Sequence, residues 1–140
     1  MKYVLVTGAY GGMGRATVSA LVAQGYGVFA LDRQVGGPSE NVYPIAADVT
    51  DSASLAAAAD VVAKVTDKLF AVVHFAGVYM MDSLVEMDES AFRRIVDINL
   101  TGAYLVNKTF GIYWATAVAL SSRQASLLRS IRCRLQVSTP

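Results

Sequence analysis

The amino-acid sequence predicts an α/β fold, a mostly parallel sheet layered between helices on both faces. Three observations carry the prediction. Apolar runs of strand length alternate with segments of helical periodicity in the order β-α-β-β-α-β. The runs are nearly continuous in Val, Leu, Ile and Phe, which is the pattern of strands covered on both faces. A glycine cluster stands where the first run gives way to the first helical segment.

The elements follow in order. Lys2 to Val6 is a short apolar run that stops at Thr7-Gly8, too soon for the core of a secretory leader, so it reads as strand one. Met13 to Gln24 carries Val18, Leu21 and Val22 at helical spacing before a Gly25 stop. Gly27 to Leu31, closed by Asp32, and Val42 to Ala46, closed by Asp48, are strands two and three; the link through Gly36-Gly37-Pro38-Ser39 is too short to show a clear helix. Thr50 or Asp51 can cap a helix reaching about Thr66, with Leu55, Ala59, Val62 and Thr66 on its buried stripe. Leu69 to Phe75 is a nearly all-apolar fourth strand, expected to be buried. Asp88 caps a longer helix that runs to about Lys108, with Met87 and Phe92 placed as a hydrophobic staple and acids in the first turn. Phe110 to Leu120 is apolar without strand alternation, and Leu127, Leu128, Ile131 and Leu135 predict a helix within 121–140.

Composition bounds what such a chain can be. A chain of 140 residues buries roughly 68% of its unfolded surface and is too short for two ordinary domains, so one domain is expected over 1–140. A hydrophobic share of 54% against 16% charged residues excludes a disordered or collagen-like chain. The net charge of +1 hides an asymmetry: residues 1–97 hold all 11 acids against 7 Lys and Arg, whereas 98–140 hold 5 Lys and Arg and no acid. The arginines between 123 and 134 lack aromatic interleaving and read as one solvated helix face, so no nucleic-acid partner is expected. The longest apolar stretch, Leu69 to Met81, is broken by His74 and Gly77 and falls short of the ~18 residues of a spanning helix, so no membrane partner is expected either. Cys133 is the single cysteine, which argues against a disulfide framework or a Cys/His metal site and makes a reducing, cytoplasmic location the simple expectation.

The loop Thr7-Gly8-Ala9-Tyr10-Gly11-Gly12-Met13-Gly14 lies at the first strand-to-helix turn. A side chain there would keep a pyrophosphate from the backbone N–H groups and the positive helix N-terminus. Thr7, Gly8, Tyr10, Gly11, Gly12, Met13 and Gly14 are therefore candidate cofactor contacts. A glycine turn alone is also explained by structure, but Asp32 stands 18 residues after Gly14 at the end of strand two, where a carboxylate can accept both hydroxyls of an adenosine ribose. An acid at that point repels a 2′-phosphate, and no loop residue before Gly12 is Lys or Arg, so NAD is expected over NADP. Arg33 is the counter-argument, since it could swing over the 2′ position; it reads equally as a solvated loop residue. His74, the only histidine, has no partner carboxylate at a useful spacing and reads as a hydrogen-bonded structural residue. Asn99 shares its helix face with Phe92, Ile95, Val96, Ala103 and Val106, and an amide on such a stripe needs partners.

On these residues the chain resembles the short-chain dehydrogenase/reductase family over 1–108. The family loop Thr-Gly-x3-Gly-x-Gly is matched by Thr7, Gly8, Gly12 and Gly14; Gly11 equally supplies the Gly-x2-Gly-x2-Gly spacing of the extended, sugar-nucleotide-modifying branch. Asp48-Val49 is similar to the pair that contacts adenine, His74-Phe75-Ala76-Gly77 sits where the family has Asn-Asn-Ala-Gly, and Asn99-Leu100-Thr101-Gly102 resembles its Asn-x-x-Gly. Together these favour the shorter, oxidoreductase branch. The resemblance implies a three-layer, Rossmann-like sheet, incomplete at about four strands in order 3-2-1-4. It also implies an NAD(P)-dependent oxidoreductase moving a hydride between nicotinamide and an alcohol or carbonyl. Asp48, Val49, Phe75, Ala76, Gly77 and Asn99 would then join the cofactor site, with Asn99 also holding a water in a proton relay.

The same resemblance implies a catalytic tyrosine, a lysine four residues later and an upstream serine, on a fifth strand and the next helix. Only 41 residues follow Asn99, and no apolar strand ending in Ser precedes a Tyr-x3-Lys there. Tyr104 and Lys108 match in spacing alone, since roughly 0.2 such pairs arise by chance in this composition. On one continuous helix they would also lie roughly 140° and 180° around from Asn99. Tyr113 is the better candidate: Gly111 to Leu120 resembles the segment in which the tyrosine opens its helix, with Ala117 where lysine belongs. The divergent basic segment 109–140 then reflects either an internal deletion or a shifted reading frame after about Thr109. Without the lysine, Tyr113 would lack the neighbouring cation that makes such a tyrosine a base at neutral pH. The chain is thus expected to be incomplete and inactive as an enzyme; a non-catalytic NAD-binding or oligomerisation module and a fragment of a sugar-nucleotide epimerase or dehydratase relative are the alternatives. The free edge of strand four predicts self-association.

Overall fold

The computed structural model of the chain describes residues 1–83 and 85–115. The expected helix within 121–140, its arginines, Cys133 and most of the segment on which the deletion and frame-shift readings turn lie outside the described residues.

Four strands form one parallel sheet: β1 (Tyr3–Thr7), β2 (Gly27–Asp32), β3 (Val42–Ala46) and β4 (Ala71–His74), in the order β3-β2-β1-β4. This is the predicted incomplete Rossmann-like arrangement. Residues alternate across the sheet as strand geometry demands. Val4, Val6, Val28 and Ala30 face one layer, where Val18, Leu21 and Val22 of α1 (Gly12–Ala23) pack on them. Leu5, Phe29 and Leu31 face the other, under Leu55, Ala58 and Val62 of α2 (Ser52–Ala63) and Val106 and Phe110 of α4 (Gly102–Phe110). Asp51 is the cap of α2, its carboxylate accepting from the Ala53 N–H at 3.0 Å. Among the described residues, no helix is long and apolar enough to cross a membrane.

Three expectations need correction. The fourth strand is half-buried along its length, because it pairs only with β1 and leaves its other edge free among the described residues. The long helix after Asp88 is not one regular helix: α3 (Glu89–Val96) passes through a π-helical turn, Asp97–Thr101, into α4, and a four-residue turn α5 (Ile112–Ala115) follows. The wide turn changes the phase of everything after it. The buried face of α4 is therefore Gly102, Val106 and Phe110, while α3 buries nothing and Phe92 is 52% exposed. The apolar stripe expected around Asn99 does not exist as one face, and the angular offsets for Tyr104 and Lys108 no longer apply. Finally, Asp88 makes no side-chain cap; the acid that matters there is Glu89, which pairs with Arg93 one turn on.

Candidate functional site

The carboxyl ends of the strands surround a cleft of about 730 Å³. It opens beside the place where the strand order reverses, between β1 and β4, with α1 on one face and α2 and α4 on the other. Open parallel sheets bind ligands at such a point.

The β1–α1 loop forms one wall. Gly8 has φ +64° and lies so close to the chain leaving β4 that a Cβ there would stand 2.6 Å from Ala76 N. Gly14 admits no side chain either, since a Cβ would come within 2.0 Å of Gly8 O. Gly12 differs: a Cβ there would meet nothing within 4 Å. Gly11 precedes α1 with extended backbone, makes no side-chain cap, and leaves the first turn of the helix without an acid. The start of α1 therefore presents N–H groups and an open approach over Gly12. This is the second glycine of the Thr-Gly-x3-Gly-x-Gly pattern, whereas a Cβ on Gly11, the extended-branch position, would make an ordinary 3.4 Å contact.

Asp32 stands at the end of β2 and its carboxylate is held by two backbone donors. Tyr10 N–H reaches Oδ2 at 3.0 Å and Arg33 N–H reaches Oδ1 at 2.8 Å. Each oxygen keeps acceptor capacity for a further donor. Beyond the end of β3, Asp48 Oδ1 accepts from the Thr50 N–H at 2.9 Å and the Thr50 hydroxyl at 2.7 Å. Those bonds, the backbone one first, hold its carboxyl below the usual range, with the Arg33 guanidinium adding to the effect against the opposing cost of burial. The second oxygen of Asp48 has no protein partner among the described residues and can accept an exocyclic amine.

Thr7 is fully buried and lies outside the cleft lining. Its Oγ1 stands 2.8 Å from His74 Nδ1 and accepts from the Ala76 N–H at 3.3 Å, tying β1 to the end of β4. His74 is thus hydrogen-bonded at one nitrogen, while its buried Nε2 has no partner among the described residues; burial lowers its pKa. Asn99 sits on the π turn, and both ends of its amide bond the same residue. Oδ1 accepts from the Val78 N–H and Nδ2 donates to Val78 O, both at 2.8 Å, fixing the chain that continues the cleft wall past Phe75, Ala76 and Gly77. Tyr113 is not at the cleft: its hydroxyl donates to Ala59 O at 3.3 Å and its ring packs near Phe110. Tyr104 and Lys108 also lie away from it, the ammonium 5.9 Å over the phenol ring.

The cleft brings together Gly8, Tyr10, Gly11, Asp32, Arg33, Asp48, Val49, Phe75, Ala76 and Gly77 from the sequence reading; Gly12, Met13 and Gly14 form the helix start beside it. It also uses residues that the reading passed over. Arg15 lines it from the first turn of α1, with Nε donating to Tyr10 O at 2.7 Å, and Arg94, Asp97 and Ile98 line it from α3 and the π turn. Arg15 was legible from its place one residue past Gly14. The other three were not: Asp97 and Ile98 belong to the π turn, and Arg94 sits on α3, whose placement beside the cleft is set by tertiary packing.

Fold and cleft together define an α/β protein of Rossmann-like architecture. Residues 2–122 match the family profile described as short chain dehydrogenase, and the chain belongs to that family. It is 33% identical over 120 residues to D-threitol dehydrogenase of Mycolicibacterium smegmatis, covering 79% of this chain and 46% of that protein. It is 34% identical over 105 residues to the 3-oxoacyl-[acyl-carrier-protein] reductase MabA of Mycobacterium tuberculosis, covering 75% and 42%. The ligand-free structure of Thermoplasma acidophilum aldohexose dehydrogenase superposes with a TM-score of 0.74 at 32% identity, over 80% of this chain and 44% of that one. The chain thus spans a little under half the length of these relatives.

Proposed function

We propose that this chain is the dinucleotide-binding portion of an NAD-dependent short-chain oxidoreductase acting between an alcohol and a carbonyl. The observation that carries the reading is the pairing of the open helix start at Gly12 with the fixed carboxylate of Asp32 across one cleft. The N–H groups at the start of α1 would hold the diphosphate, Asp32 the adenosine ribose, and Asp48 with Val49 the adenine. When bound, a nicotinamide dinucleotide supplies or accepts the hydride. Asp32 favours a free 2′-hydroxyl over a 2′-phosphate, although Arg15 and Arg33 line the same cleft and soften the discrimination. The cytoplasm is the compartment this reading assumes.

The described residues would bind and orient the cofactor, and among them no proton-transfer site is complete. Asn99 commits one donor and one acceptor of its amide to Val78, and Tyr113 is turned toward α2 with Ala117 where the resemblance puts the lysine. The 140-residue chain is therefore expected to bind the cofactor without turnover. The named relatives act on a sugar alcohol, an acyl carrier substrate and an aldohexose, so their chemistry names no substrate for this chain. The β4 edge, unpaired among the described residues, supports self-association.

Calorimetric titration with NADH, and with NADPH for comparison, tests the reading. Micromolar binding that favours NADH is expected. A folded chain that binds neither would sink it, and oxidation of an alcohol by the purified chain with NAD would overturn the inactive part.

A further inference from the structure

We propose that Gly102 is a positioning residue for the adenine end of the cleft, acting through Val49; the proposal rests on the reading of the cleft as a dinucleotide site. Gly102 is buried where the π turn passes into α4. Its backbone is ordinary helix, φ −60° and ψ −45°, so no unusual conformation calls for glycine, and glycine is the poorest helix former after proline. What calls for it is a close approach. A Cβ at 102 would stand 2.9 Å from Val49 Cγ2 and 3.4 Å from Val49 Cβ.

Val49 has little freedom to give way. Its branched side chain is stiff at χ1, it is only 6% exposed, and it packs in the same core as Val106 and Phe110 while its remaining surface lines the cleft. The backbone around it is pinned: Asp48 N–H donates to Ser54 Oγ at 3.0 Å, and Asp48 Oδ1 holds Thr50. A methyl group on residue 102 would therefore push Val49 toward the cleft, onto the surface an adenine ring would meet. Asn99, three residues earlier on the same turn, fixes Val78 on another stretch of the cleft wall. One turn of helix thus sets two separate parts of the binding surface.

The test is calorimetry of the full chain with 5′-AMP and with NADH, for the wild-type chain, Gly102→Ala, Val49→Ala and the double variant. Gly102→Ala is expected to weaken 5′-AMP roughly tenfold, and NADH by the same factor. In the Val49→Ala background the same step is expected to cost less than about twofold, because the γ carbons it meets are gone. An equal loss in both backgrounds, which a purely structural glycine would give, overturns the proposal, as does no loss in the wild-type background. Val49→Ile crowds the contact from the other side and is expected to weaken 5′-AMP as well. It keeps the test standing if Gly102→Ala does not fold, and unchanged affinity in it counts against the proposal. A wild-type chain that binds neither ligand removes the cleft reading itself, before any substitution is made.

Discussion

Gly12 and Gly14 are two residues apart in one turn, yet a methyl group would meet different surroundings at each. At Gly14 it would collide with the backbone at Gly8 O and Ala9, which no rotamer change relieves, so Gly14→Ala is expected to cost about 1–3 kcal/mol of stability. At Gly12 it would enter open space, so Gly12→Ala is expected to change stability by no more than about 0.5 kcal/mol. If a diphosphate occupies that space, the same Gly12→Ala protein loses NADH binding. Thermal unfolding and calorimetry on the two variants separate a glycine kept for packing from one kept for a ligand; a Gly12→Ala protein that binds NADH normally would count against the site. Asp32 allows a second prediction. Its carboxylate is already oriented by two N–H groups, so Asp32→Asn keeps the shape and removes the charge. NADH affinity is expected to fall roughly tenfold or more, the order of a hydrogen bond to a charged group, while NADPH affinity falls far less because a repulsion is relieved. Equal losses for both would show that Asp32 does not set the preference.

At the scale of elements, His74 joins two strands and makes their union sensitive to pH. Burial lowers its pKa in the folded chain below the ordinary 6.5, so between the two values the unfolded chain binds more protons. Stability is therefore present in full above about pH 6.5 and lost as pH falls toward the folded value, with a slope of at most about 1.4 kcal/mol per pH unit. As the only histidine, His74 can be isolated cleanly. Denaturant unfolding between about pH 7.5 and 5.5 should show this slope in the wild-type chain and not in His74→Asn; an identical slope in both would assign it elsewhere. The same elements show what the sequence could tell. Strands β1 to β3, α1 and the Asp51 cap were readable because local periodicity and turn chemistry determine them, and the glycine loop with Asp32 was readable because each residue's neighbour is the backbone itself. The π turn was not, since its one extra residue leaves no mark in a hydrophobic pattern that fits α-helical spacing nearly as well. With it went the placement of Asp97 and Ile98 and the buried face of α4. The half-buried state of β4 exposes a conflict within the sequence reading: its apolar composition is that of a strand covered on both faces, whereas the expected order 3-2-1-4 already places it at an edge, and the edge position prevails.

For the molecule as a whole, the uneven distribution of exposed apolar groups sets the expected behaviour in solution. Phe70 is 53% exposed at the entrance to β4, and Tyr79, Met81 and Val85 in the following segment are more exposed still. Leu100, Tyr104 and Ile112 stand out from the helices beyond. Between Leu69 and Phe75 no residue carries a fixed charge, so β4 has none of the Lys or Pro devices that keep an edge strand from pairing. A parallel edge that stays unpaired among the described residues and carries apolar flanks is expected to take up another strand, which in a pure solution a second copy can supply. Light scattering should then show a mass that rises above 14.9 kDa with concentration. Hydrogen exchange can locate the contact, because the outward N–H groups of Ala71–His74 would gain protection as concentration rises while those of β3, the opposite edge, would not. A monomer that persists at high concentration would exclude the association. Protection confined to α3 and α4 would instead place the contact on the exposed groups Phe92, Leu100 and Tyr104, leaving the β4 edge open.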